Sequence, residues 1–176
     1  ILTTPEGAAL PASAVEKDVP LLVRLHKDWF DFSQAQADGA DVRCSTSAGE
    51  PLAYQIEEWD AARGTASIWV RIPIIKGNSR QEIKLQWGKA DTTSVSDGKA
   101  VFNESNGYLS VFHLGDDAND EVGTVEMQDT GTAVTAGIIG KARHFPGKAG
   151  VFGGDNIAIY PTGARPHTSE AWFRTT

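Results

Sequence analysis

Ala66-Ser67-Ile68-Trp69-Val70-Arg71-Ile72-Pro73 is the stretch that decides the fold class. Ala66, Ile68, Val70 and Ile72 recur at every second position, with Ser67, Trp69 and Arg71 between them. A period of two is that of a strand with one buried face, because successive side chains point to opposite sides. The branched apolar residues suit a pleated, half-buried surface. Pro73 is expected to close the strand, since proline brings no ladder donor.

The same period continues on both sides. Leu52, Tyr54 and Ile56 alternate with Ala53, Gln55 and Glu57, and the Asp60 to Gly64 stretch breaks the run. Val42 and Cys44 alternate with Arg43 and Ser45, between turns at Asp38-Gly39 and Ser47 to Pro51. Val19, Leu21, Val23 and Leu25 form one phase of an earlier strand. Ile83, Leu85 and Trp87 form one phase of a later strand that Gly88 stops, and the phase assigns Trp87 to the core. Five or six short strands at roughly ten-residue spacing predict an antiparallel sandwich or barrel. Helix is expected only as a turn within Ser33 to Ala40 and somewhere within Ala90 to Asn103.

After about residue 103 the texture changes. Tyr108 to Leu114, Gly140 to Phe145 and Asn156 to Tyr160 read as strands, and Glu170 to Phe173 as the start of another. The domain boundary is expected between Gly88 and Gly107.

Composition narrows the function classes. The chain has 176 residues, with 16 Lys and Arg against 23 Asp and Glu, a net charge of −7. Nucleic-acid binding needs clustered cations, and this balance argues against it. No apolar run approaches the about 20 residues of a membrane helix. The single cysteine excludes an internal disulfide and a cysteine-based zinc finger. The chain starts at Ile1 and ends in an aromatic run, which reads as a piece of a longer polypeptide.

The chemistry-bearing residues form no catalytic signature. His26, His113, His144 and His167 make no H-x-x-x-H or H-E-x-x-H pattern, so half-buried or surface strand positions are expected. Cys44 shares a phase with Val42 and reads as a small buried hydrophobe. Glu57 and Glu58 are neighbours in a strand, so they are expected on opposite faces, unable to flank one glycosidic bond. Glu126 and Asp129, three apart, fail the same test. A glycoside hydrolase is therefore the remotest reading.

Asp116, Asp117 and Asp120, with Glu121, Glu126 and Asp129, make an acidic stretch without a cation. Calcium is the ion such oxygen-rich loops can take, although the EF-hand spacing is missing, and a solvated loop is the plainer reading. Asp155 and Asn156 are a second, weaker calcium candidate. Trp29, Trp59 and Trp69 fall out of phase with the apolar residues of their segments, and Trp69 shares its face with Arg71. Exposed tryptophans on a sheet could stack on sugar rings or anchor a protein partner. A sheet covered on both faces would bury both phases instead.

Many short blocks carry a family likeness. They include Thr3-Thr4-Pro5-Glu6-Gly7-Ala8, Asp18 to His26, Phe30-Asp31-Phe32, Asp38 to Arg43, Pro51 to Glu57, Ile68-Trp69-Val70 and Ile83 to Gly88. Residues 1–105 thereby resemble a bacterial domain of unknown function found ahead of MotA/TolQ/ExbB proton-channel segments. Val111-Phe112-His113-Leu114, Gly137 to Gly147 and Glu170-Ala171-Trp172-Phe173 resemble the opening strands of a laminin-G-like, concanavalin A-like jelly roll over residues 106–176. The resemblance implies an all-β, jelly-roll-like sandwich followed by the first strands of a second one. It implies a non-catalytic, periplasmic binding or scaffolding module of a membrane-anchored envelope protein, with an envelope protein or a glycan as partner. Trp29, Trp59, Trp69 and Arg71 are then the expected ligand-binding residues, and Asp116, Asp117 and Asp120 the expected calcium ligands.

Overall fold

A computed structural model describes residues 2–3, 11–123, 125–153, 158 and 160–175. Its elements are the strands β1 (Leu2–Thr3), β2 (Val15–His26), β3 (Arg43–Thr46), β4 (Tyr54–Asp60), β5 (Thr65–Lys76), β6 (Arg80–Gln81) and β7 (Ile83–Gln86). A single helical turn, α1 (Gly98–Val101), follows, and then β8 (Gln128–Thr130), β9 (Ala133–Ala136), β10 (Lys141–His144) and β11 (Gly150–Phe152). All the pairings are antiparallel. The protein is an all-β antiparallel sandwich with little helix.

The deciding stretch is the centre of a three-stranded sheet in the order β2-β5-β4. Across the core lies the two-stranded sheet β3-β7. Ile68, Val70 and Ile72 meet Phe30, Phe32, Val42, Cys44, Leu52 and Tyr54 in one apolar cluster. Burying each branched side chain contributes about 1.5–3 kcal/mol. The Tyr54 hydroxyl donates to the Val42 carbonyl and ties the two sheets together.

Pro73 does not end β5. The ladder to β2 runs on through Lys17↔Ile74 to Val15↔Lys76. Pairing lapses only where Pro73 would face Asp18, whose φ of 54° takes it out of the extended region. A residue that cannot donate is tolerated where the ladder is already interrupted.

The edge of β4 is closed by the stretch before α1. The Asp97 amide donates to the Tyr54 carbonyl at 2.9 Å, and the Ser96 hydroxyl accepts from the Ile56 amide at 2.8 Å. The chain then crosses the outer face of the sheet as a strap over residues 98–123. Tyr108 to Leu114 forms no strand. The Val111 amide and carbonyl are taken by Asp120 Oδ1 and the Glu121 amide, so loop bonds replace a ladder.

Lys141–His144 forms a strand within the expected Gly140 to Phe145, paired with β9; β8 pairs with β11. Glu170 to Phe173 is not in a strand, and Asn156, Ile157 and Ile159 of the other expected strand lie outside the described residues. Helical turns form at Gly98–Val101, inside the expected Ala90 to Asn103, and at Phe32–Gln34, which overlaps the expected Ser33 to Ala40 but starts one residue before it.

Candidate functional site

The outer face of β2-β5-β4 carries a group of titratable side chains perturbed by burial. Gln55 stands opposite Trp69 in the ladder, and a register shift follows between Ile56 and Glu58. This β-bulge inserts Glu57 and reverses the side-chain phase beyond it. Glu58 then pairs with Ser67 on the outer face, and Trp59 pairs with Ala66 on the core face. Glu57 also reaches the outer face, so the two glutamates do not point to opposite sides as strict alternation requires. Glu57 Oε2 accepts from the Trp69 indole N–H at 2.6 Å, while Glu58 pairs with Arg63 at 3.0 Å.

His113, from the strap, lies over this pair. Its ring stacks on Trp69 with 22° between planes and meets Phe102 edge-on. Its Nε2 is 3.0 Å from Gln55 Oε1. An amide oxygen only accepts, so Nε2 carries the proton and Nδ1 is bare toward Glu57 Oε1, 3.5 Å away. The Gln55 side chain also bonds Glu121. A chain of contacts thus runs Trp69, Glu57, His113, Gln55, Glu121. Burial pushes the His113 imidazole down to about 4, so it is neutral at pH 7. Burial also raises the carboxyls of Glu57 and Glu121, and neighbouring acids add to this. A Cβ on Gly98 would overlap Glu121 Oε2, so a side chain there would require the carboxylate to shift.

Trp69 is therefore a half-buried anchor for the strap and not an open stacking surface. Arg71 beside it is equally committed: its guanidinium donates to Asp18 at 3.1 Å, to the Ala100 carbonyl at 3.3 Å and to Ser105 Oγ at 3.1 Å. Trp59, expected on the polar phase, packs edge-on against Phe30 and Phe32 because of the bulge. Trp29 alone of the expected binding tryptophans is open, 70% exposed, with His26 tilted against it at 5.2 Å. Trp87, expected in the core, is 39% exposed and covers Phe30 from outside at 4.8 Å. β7 ends at Gln86, so the strand phase does not extend to it.

The acidic residues go to separate partners. Asp116 holds the Lys141 ammonium at 2.6 Å, and Asp117 caps the Asn119 amide at 3.0 Å. Asp120 is buried and takes the amides of Val111, Val122 and Val125 at 2.9–3.1 Å. Asp129 pairs with Arg143 at 2.6 Å. Among the described residues no group of three His, Cys, Asp or Glu is arranged to hold a metal ion. Asp155 and Asn156 lie outside the described residues. Cys44 is buried, and desolvation raises its thiol to about 12. His144 and His167 stand exposed, and neither joins another histidine.

Two concavities open elsewhere. One, of about 540 Å³, lies at the end of the sandwich over Leu52, Ile72, Ile74 and Ile83, with Arg80 and Glu82 paired at its rim. The other, of about 300 Å³, lies beside Phe30, Phe32, Lys27 and Gly64. Neither contains Glu57, His113 or Glu121.

The residues that sequence reasoning missed are Gln55, Glu57, His113 and Glu121 as one group. They come from two segments some sixty positions apart, and no local spacing links them. No helix among the described residues is long and apolar enough to cross a membrane. No curated protein and no solved structure matches the chain. Residues 38–126 match the family described as "Domain of unknown function (DUF2341)". The match takes in β3 to β7 and the whole strap, just over half of the 176 residues, and the chain belongs to that family.

Proposed function

We propose that this domain is a non-catalytic binding or scaffolding module of an envelope assembly of the MotA/TolQ/ExbB proton-channel type. One observation carries the non-catalytic part. The groups able to do chemistry, Glu57, His113, Glu121 and Arg71, are engaged in fastening the strap to the sheet, and neither of the two concavities described above includes them. A satisfied buried network rigidifies a fold, whereas an acid–base site needs groups that face a substrate. The likeness of the first hundred residues supports the envelope setting.

A second reading follows from Trp29, whose open indole lies next to His26 and Asp28. Such a ring beside polar groups suits a sugar, and the laminin-G-like segments are in keeping with glycan binding. Photo-crosslinking from position 29 of the full-length protein in cells tests the first reading. Adducts with another envelope protein support it, and their absence counts against it. A saturable fluorescence shift with a soluble polysaccharide, lost in Trp29→Ala, replaces it with the second.

A further inference from the structure

The contact between strap and sheet holds two hydrogen-bond acceptors face to face, and three bonds fix their orientation. The Gln55 amide N–H is given to the Glu121 carboxylate, so Gln55 Oε1 is left to accept from His113 Nε2 at 3.0 Å. The imidazole then carries its proton on Nε2, and Nδ1 keeps a bare lone pair. Glu57 Oε2 is held by the Trp69 indole N–H at 2.6 Å, which leaves Oε1 toward that lone pair, 3.5 Å away. Only 14% of the His113 side chain and 12% of the Glu57 side chain are exposed, so water has little access to the gap. Glu57 Oε1 makes no other hydrogen bond among the described residues. With Glu57 ionised, nothing donates between two buried acceptors, which is unfavourable. A proton on Oε1 turns the mismatch into an O–H···N bond.

We propose that Glu57 and His113 form a proton-operated latch: a proton on Glu57 Oε1, donated to His113 Nδ1, fastens the strap to the sheet, and its loss loosens the strap. Glu57 takes this proton from solvent, and the imidazole stays neutral. The groups around the pair set the sign. Acting on Glu57 are two acids, Glu58 of β4 and Glu121 of the strap, and Arg24 of β2, whose guanidinium also donates to the Ile138 carbonyl at 2.7 Å. Facing His113 are Gln55 of β4 and Asp117 of the strap. Burial and the two acids outweigh the indole and Arg24, so Glu57 takes its proton above the ordinary carboxyl range, while His113 stays neutral down to about 4. Lifting the strap returns Glu57 to water and to its ordinary value. The closed form therefore binds the extra proton, and acidification from neutral pH favours closure through Glu57. Glu121, acted on by Asp117, Asp120 and Asp97, has the same sign from the far side of Gln55. Closure covers the Trp69 ring, which stacks on His113 and meets Phe102 edge-on. Proton concentration thereby sets how often that face of the sheet is open.

The test is a pair of titrations by nuclear magnetic resonance. In the natural protein, the carboxyl carbon of Glu57 should titrate above its ordinary 4.5, and the His113 nitrogens should show a neutral ring protonated at Nε2 throughout that step. Exchange of the Trp69 indole N–H, corrected for its intrinsic rate, then reads how often the strap lifts. Glu57→Gln supplies an oxygen to the indole and an N–H to His113 Nδ1 at every pH, so it holds the latch shut. The ratio of indole protection in the natural protein to that in Glu57→Gln should rise as pH falls from about 7.5 to about 5, by at most about tenfold per unit for one proton. The ratio removes the contributions of His113 and Glu121, which both proteins share. Amides of Ile68 and Val70 in the middle of β5 should stay protected in both, which separates a lifted strap from a lost fold. A ratio constant with pH overturns the proposal. So does a Glu57 carboxyl that titrates at its ordinary value, or a His113 ring that gains its second proton first. These last two readings need only the natural protein and decide the matter even if the glutamine variant does not fold.

Discussion

The indole N–H of Trp69 donates to Glu57 Oε2 across 2.6 Å, from the middle of β5 to a bulge in β4. A neutral donor thereby holds a carboxylate on a face that the strap covers. Burial raises the Glu57 carboxyl, so the fold prefers its uncharged form, and Glu58 and Glu121 add repulsion. Glu57→Gln keeps an oxygen for the indole and removes the charge. Its unfolding free energy at pH 7 should equal or exceed that of the natural protein. Glu57→Ala leaves the indole N–H without an acceptor and should cost about 1–3 kcal/mol in urea denaturation. A greater loss in the glutamine than in the alanine variant would show that the charge is needed.

His113 makes the sign of the pH dependence specific. Its folded value of about 4 lies below the unfolded 6.5, so the unfolded chain takes up the proton first on acidification. The stability held by the neutral imidazole is complete above pH 6.5 and is lost as pH falls toward 4, at most about 3 kcal/mol. Glu57 and Glu121 act oppositely: their raised carboxyls disfavour the fold at neutral pH and relieve it as they are protonated. His113→Gln should therefore gain stability relative to the natural protein between pH 6.5 and 4. Parallel curves for the two proteins over that range would rule out the imidazole as the source.

How far the sequence was legible depends on whether a signal was local. The period of two located β2, β4, β5 and β7 because each strand buries one phase against a single core. It failed at Trp59, where one inserted residue, Glu57, reverses the phase and nothing in Gln55 to Trp59 marks a bulge. It failed at Trp87 because the ladder stops one residue earlier. It could not show that Trp69 is covered, since the cover comes from His113 and Phe102, far along the chain. The acidic stretch looked like a cation site because a sequence shows carboxylates without their partners. Asp116 turns to Lys141 and Asp120 to three backbone amides, and neither choice is visible in residue spacing.

Gly39 shows what the displaced Trp59 requires of its surroundings. The glycine has φ of +70°, and a Cβ there would stand 2.6 Å from the Trp59 ring. Gly39→Ala meets both the left-handed backbone penalty, about 1–2 kcal/mol, and a clash with an indole held between Phe30 and Phe32. The expected outcome is a lower Tm and a changed near-ultraviolet signal from the aromatic cluster. The double variant Gly39→Ala, Trp59→Leu should recover part of the loss, because the smaller side chain vacates the space. An unchanged Tm in the single variant would mean that the indole can move aside freely.

Asp120 supplies a last test, because one buried carboxylate organises the loop that brings Glu121 over the sheet. Its Oδ1 takes the amides of Val111 and Val122, and its Oδ2 that of Val125. Asp120→Asn keeps one acceptor oxygen but turns the other position into a donor facing an amide, so at least one buried N–H loses its partner. Hydrogen exchange should then quicken at Val111, Val122 and Val125 first, while Ile68 and Val70 in the middle of β5 stay protected. If exchange rises equally in β5, the loop and the sheet unfold together and the strap is part of the core's cooperative unit. If exchange rises nowhere, the loop is held by its packing and the carboxylate is dispensable.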